Sequence, residues 1–315
     1  MTCLVASSVV RGSHQGESHG GVFLVDLVNQ RVEQKLDWNT VSIDWQGRGA
    51  DRGLRGIALY REMVFIAASD ELFAYTPDFK LLGSWKNPYL KHCHEIVVYE
   101  DQVFLSSTGF DSILAFDIKK EKFHWALYVE TEGFRFTGQI YDPCGNDGPL
   151  MLNKLHINSI IANDDGLFMA GLKSGGLLHF NGENVNMSAT LPAGTHNAQP
   201  YQDGVIFNDT RADLVRFVSR DNDNDNDTDR AFKVPSVAEE LITGKYLDDS
   251  RIARASFGRG LCVIKKGLIA AGSSPSTIAL HDFATMKTVL QVTLSTDIRN
   301  AIHGLEVWPF GFSGR

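Results

Sequence analysis

The 315-residue chain reads as an all-β protein, a six-bladed β-propeller closed by its own two ends. Three observations predict this. Short apolar runs of strand length recur from end to end, long helical periodicity is nearly absent, and the runs group into repeats of one plan. Each repeat opens with a short apolar strand, turns through a charged or polar hairpin and continues in a second apolar strand. A loop rich in Ser, Gly, Thr or Asp follows, then a third strand that ends near an aromatic residue. Four strands per unit, recurring at roughly 35 to 60 residues, is the signature of a propeller.

The first full repeat, 54–85, turns at "YRE" and closes its third strand at Phe73. The second, 93–127, turns at "YED" and reaches Phe116; the third, 155–191, turns at "NDD" and reaches Phe180. The fourth, 195–218, uses "YQD" and Phe217, and the fifth, 258–294, uses "KKG" and Phe283. The sixth is split between the termini. "IHGLEVWPF" (302–310) is an opening strand with no chain left to complete it, while "TCLVASSV", "GGVFLVDL" and "RVEQKLDW" are later strands without an opener. Joining them closes the ring and removes an exposed sheet edge. "SVAEELITGKYL" (236–247) is expected to be one short inserted helix, with Ser236 as N-cap and Glu239 completing a capping box.

Residues 1–315 are therefore expected to form a single domain. Two connections, 130–153 and 219–256, exceed what a propeller requires and are expected to lie as lids over the face where first strands begin, with Phe134, Phe136, Tyr141 and Tyr246 roofing a pocket. "DNDNDNDTD" (221–229) lacks the glycine and glutamate of a calcium-binding helix–loop–helix motif, so it reads as a solvated acidic loop, and calcium there would be structural.

Composition narrows the function. The formal net charge is -8 and no basic run appears, which argues against nucleic acid as a partner. No apolar stretch approaches the roughly 20 residues needed to span a bilayer, and the N-terminus reads as a strand, so no membrane partner is expected. Cys3, Cys93, Cys144 and Cys262 form no CxxC pair and are expected to be reduced thiols in a cytoplasmic protein. Nucleophile-elbow, P-loop and zincin motifs are missing. The oligomeric state is not legible.

What recurs instead is histidine at the mouth of an apolar strand: "CHEIVV", "LHINSII", "THNAQP" and "IHGLEV". First strands line a propeller's channel, so a residue at the same point of each faces one axis. Arg55, His94, His196 and Arg259 each stand nine residues before an apolar second-strand residue, and His303 joins them by motif. In the third repeat Asn158 has that spacing and His156 lies two residues earlier, so either can occupy the axial place. The ring thus reads Arg55, His94, His156 or Asn158, His196, Arg259, His303. Strand alternation is expected to turn Glu95 away from the axis.

In general plan the chain resembles the six-bladed propellers of the gluconolactonase and strictosidine-synthase type. "LHINSI", "HNAQPYQDGVIFNDT" and "GRGL" with "AAGSSP" more closely resemble an uncharacterised family of bacterial propellers, a resemblance that implies the fold and no established reaction. Histidines converging on a propeller axis are similar to the site of the carotenoid-cleaving oxygenases, in which four histidines hold iron; that resemblance is one of site only.

The leading expectation is a metal-dependent enzyme, an oxygenase or oxidoreductase, with iron or copper, or zinc, held by His94, His156, His196 and His303. Arg55 and Arg259 would grip a small anionic substrate, helped by Arg211 and Asn158, with His303, Arg55 and Arg259 as catalytic residues. A metal-dependent hydrolase, lactonase or lyase and a non-catalytic binding propeller are the alternatives. Satisfied core histidines, and arginines paired with Asp51 or Glu306, are the structural alternatives.

Overall fold

The computed structural model describes residues 3–14, 16–39, 53–133, 135–219, 230–244 and 254–312. Six antiparallel sheets are present, five of four strands and one of five. In chain order the blades occupy 57–86, 93–141, 157–190, 195–233 and 261–293, and the last is built from both termini. Its first strand is Asn300–Val307, followed by Cys3–Val10, Gly20–Asp26 and Arg31–Asp37. Leu4 pairs with Val307 and Val10 with Asn300, so the ring closes as the sequence predicts.

The burial pattern follows the layering. Second strands are covered on both faces and read as continuous apolar runs, as in Met63–Ala67 and Gly204–Asp209. Fourth strands face solvent on one side, and Leu81–Lys86 alternates exposed with partly covered residues at its outer end. The core is six clusters, one at each junction between neighbouring blades. The third-strand aromatics Phe73, Phe116, Phe180, Phe217 and Phe283 are all buried in these junctions. Each contributes about 1.5–3 kcal/mol relative to exposure.

Three expectations about the insertions change. In the described part of the expected helix, 236–244, there is a single turn of 3-10 helix, Glu239–Leu241, with Ala238 and not Ser236 at its start. The next residues bridge to another connection instead: Thr243 pairs with Asp297. Much of 130–153 is no lid, because Lys122–Glu132 and Arg135–Tyr141 form a hairpin that adds a fifth strand to the second blade. Only its last part returns to the axial face, where Asn153 donates its N–H to the Gly109 carbonyl. The connection 219–256 contains the fourth strand of its blade, Arg230–Lys233. Phe134, Tyr246, Asp51 and the acidic run 221–229 lie outside the described residues. All four cysteines are free thiols, and Cys144 is exposed.

Candidate functional site

The opening strands bring their first residues together at one end of the axis. The ring of His94 lies 5.5 Å from that of His156, 6.2 Å from that of His303 and 6.5 Å from that of His196, centroid to centroid. Arg55, fully buried, places Nη1 3.3 Å from both nitrogens of His94. Equal distances put it over the face of the imidazole and off the in-plane lone pairs. Arg259, also buried, donates from Nη1 to Nε2 of His303 at 2.9 Å.

Blade three resolves its ambiguity in an unexpected way. Ile160 opposes Met169 as Ile96 opposes Leu105, so Asn158 holds the register place of His94. Its side chain serves packing: Nδ2 donates to the Thr195 carbonyl at 3.1 Å, and Oδ1 accepts from the Ser159 hydroxyl. His156, two residues earlier, reaches the cluster on a left-handed backbone with φ of 56°.

The glycine of the Arg/His-Gly-Ile/Leu motif has a steric role. A Cβ on Gly56 would sit 2.6 Å from the backbone nitrogen of Ile96, and one on Gly304 would sit 2.3 Å from the carbonyl oxygen of Arg55. Neighbouring backbones approach this closely at the axis only where there is no side chain.

Three imidazoles are oriented alike. His94 Nδ1 lies 2.7 Å from the His92 carbonyl and 2.8 Å from the Thr108 hydroxyl. His156 Nδ1 lies 3.0 Å from Asn153 Oδ1, and His196 Nδ1 lies 3.2 Å from the Gly194 carbonyl. These acceptors place the hydrogen on Nδ1 and leave Nε2 as a lone pair. Nε2 of His196 is buried and has no hydrogen-bond partner among the described residues. Burial keeps the rings neutral, and the Arg55 and Arg259 charges reinforce it: His94 and His303 stand well below the ordinary value and His156 falls to about 4. His196 is likewise depressed, by burial and then by Arg259.

Further along the same opening strands lies a cavity of about 170 Å³ lined by Glu95, Asn197, Gln199 and Glu306 among apolar residues. Glu95 faces the axis after all. A register shift between Cys93 and Ile96 breaks the alternation, and Asn197 Nδ2 donates to both Glu95 oxygens at 3.2 and 3.1 Å. Burial raises Glu95 to about 8, helped by Glu306, which burial itself lifts to about 7.

The donor set fits a metal in one respect only. Its chemistry is suitable, since three neutral imidazoles offer Nε2. Its spacing is not: among the described residues no three His, Cys, Asp or Glu side chains close on one point. His303 has its Nε2 engaged by Arg259, so it is no fourth ligand in this arrangement.

No protein-family model and no curated protein matches the chain. Among solved structures, a protein of unknown function from Bacteroides caccae superposes with a TM-score of 0.60 at 11% identity, over 97% of this chain and 98% of that one. Apo AztD from Citrobacter koseri gives 0.47 at 12% identity, over 98% of each chain. The first supports the fold; neither bears on what the axial residues do. No helix among the described residues is long and apolar enough to cross a membrane.

Two residues near the cluster carry no repeat signal. Phe257 sets its ring 5.7 Å from that of His196, edge to face, and Arg11 comes within 6.0 Å of the same ring. Phe257 follows the long connection and Arg11 follows the Cys3–Val10 strand, so neither sits at a repeated position. Arg211, expected to help bind the substrate, is exposed and lines a cavity beside the axis.

Proposed function

We propose that the protein binds a small anionic molecule at the histidine end of its axis and acts on it as an enzyme by moving a proton. The observation that carries this is the meeting there of two buried guanidiniums, Arg55 and Arg259, with four neutral imidazoles. A guanidinium in a dry site holds a carboxylate or phosphate strongly. A neutral imidazole with Nδ1–H donated elsewhere can accept a proton at Nε2. In this reading Arg55 and Arg259 hold the anion, His156 and His196 are the bases, and His303 is positioned by Arg259. The reaction class is elimination or hydrolysis at a carbon or acyl centre of the bound anion.

A second reading keeps a transition metal, iron or copper or zinc, on His94, His156 and His196. It is favoured by the three Nδ1 atoms held by oxygen acceptors, which is how ligating histidines are oriented. The ion would supply Lewis acidity or oxygen chemistry there, and the rings would have to draw together.

Elemental analysis of untagged full-length protein, with thermal denaturation in propionate and in inorganic phosphate, separates the readings. Protection by these anions that is lost in Arg259→Met and Arg55→Met, with no stoichiometric metal, supports the first. Stoichiometric metal that disappears in His94→Ala and His156→Ala supports the second. Protection that is unchanged in both arginine variants overturns the anion site.

A further inference from the structure

Beside the axial cluster lies a cavity of about 660 Å³, lined by Lys173, Arg211, Arg254, Asp213, Thr210 and Phe257 among others. Its residues come from four places: the second-to-third-strand loops of blades three and four, and the connections entering blades four and five. Three cations face one acid, and that acid is engaged, since Arg254 Nη2 lies 2.6 Å from Asp213 Oδ1. Arg254 is also fixed by donating to the Thr210 carbonyl. Gly194, at φ of 94°, makes room for Arg211, because a Cβ there would lie 2.8 Å from the Arg211 Cγ.

Phe257 adjoins both compartments: it lines this vestibule, and its ring lies 5.7 Å from that of His196. Arg259, from the axial ring, stacks its guanidinium carbon 4.8 Å from the Phe257 centroid, and Arg254, from the vestibule, stacks at 5.0 Å. The two guanidinium carbons are therefore at most about 10 Å apart. The two compartments also feel each other electrostatically: Lys173 is among the charges that depress His156, after burial and Arg259.

We infer that the ligand is a small molecule with an anionic group at each end, the outer one a phosphate-type group seated among Lys173, Arg211 and Arg254, the inner one a carboxylate at Arg259. Several separately mounted cations suit the three terminal oxygens of a phosphate or phosphonate, whereas a single planar fork suits a carboxylate. The upper limit of about 10 Å between the Arg254 and Arg259 guanidiniums selects a chain of a few atoms between the ends. This assignment rests on the axial anion site proposed above.

The test uses full-length protein and three probes followed by calorimetry: propionate, inorganic phosphate and 3-phosphonopropionate. The two-ended probe is expected to bind about tenfold or more tighter than either single-ended one. In Lys173→Ala/Arg211→Ala, exposed positions whose truncation leaves the fold intact, its affinity should fall to that of propionate, while propionate itself changes less than about threefold. If the two-ended probe gains nothing over propionate, or is unaffected by the double variant, the vestibule assignment is wrong and the axial site stands. If no probe binds wild-type protein, both readings are overturned.

Discussion

Arg259 Nη1 donates to His303 Nε2 at 2.9 Å, and both side chains are buried at the end of the axis. The bond needs a lone pair on Nε2, so it fixes His303 neutral with its hydrogen on Nδ1. Burial is the larger cause of the depressed His303 titration and the Arg259 charge is next. Replacing Arg259 by Met should therefore move the His303 titration upward, and Arg259→Lys should retain most of the depression. Histidine proton shifts followed by NMR across the acid range report this directly; a His303 titration that does not move in Arg259→Met would sink the coupling.

Ser7 ties the ring closure to the site. Its hydroxyl oxygen accepts from the backbone N–H of Gly304 at 2.8 Å and donates to the Arg55 carbonyl. Gly304 belongs to the C-terminal strand of the split blade, Ser7 to its N-terminal strand and Arg55 to the first blade. Ser7→Ala leaves a buried N–H and a carbonyl unmatched, at a cost of about 1–3 kcal/mol. The urea midpoint should fall accordingly, and anion protection should weaken with it because Arg55 loses its anchor. A variant with wild-type stability would remove the connection.

The fold was legible because its signal repeats. Period-two runs, hairpin turns and third-strand aromatics recur at similar spacing, and even the split blade declared itself through an unfinished "IHGLEV". The convergence of His94, His156, His196, His303, Arg55 and Arg259 was legible for the same reason. The errors arose where period two breaks. A bulge between Cys93 and Ile96 turns Glu95 into the channel, and Asn158 keeps the register while its amide turns to Thr195. Strand alternation cannot foresee a bulge, which changes the facing of every residue beyond it. Phe257 and Arg11 approach the site through tertiary packing and leave no periodic mark.

Gly56 offers a test of how tightly the axis is packed. A Cβ there would meet the Ile96 nitrogen at 2.6 Å and the Glu95 Cα at 2.9 Å, both backbone atoms that cannot swing aside. Gly56→Ala should cost about 1–3 kcal/mol. A loss of several degrees in thermal midpoint is expected, whereas Gly133→Ala, where nothing lies within 4 Å, changes little beyond the strain of its φ of 62°. Equal midpoints for the two variants would show that the blades separate easily at the axis.

Stability should peak near pH 6, because two sets of buried groups oppose each other. The axial histidines are depressed below their ordinary 6.5, with His156 at about 4. The unfolded chain takes up their protons first, so their contribution is present above about pH 6.5 and is lost as pH falls through the folded values. Glu95 and Glu306 are raised from 4.5 to about 8 and about 7. Here the fold keeps the proton longer, so their contribution is present below about pH 4.5 and is lost as pH rises toward 8. Glu95→Gln should remove much of the alkaline limb: relative to wild type it gains stability steadily between about pH 5 and 8, and gains nothing at the acid end. Urea unfolding at several pH values measures the difference, and a wild-type-to-variant gap that stays constant with pH would show that Glu95 ionises as freely in the fold as outside it.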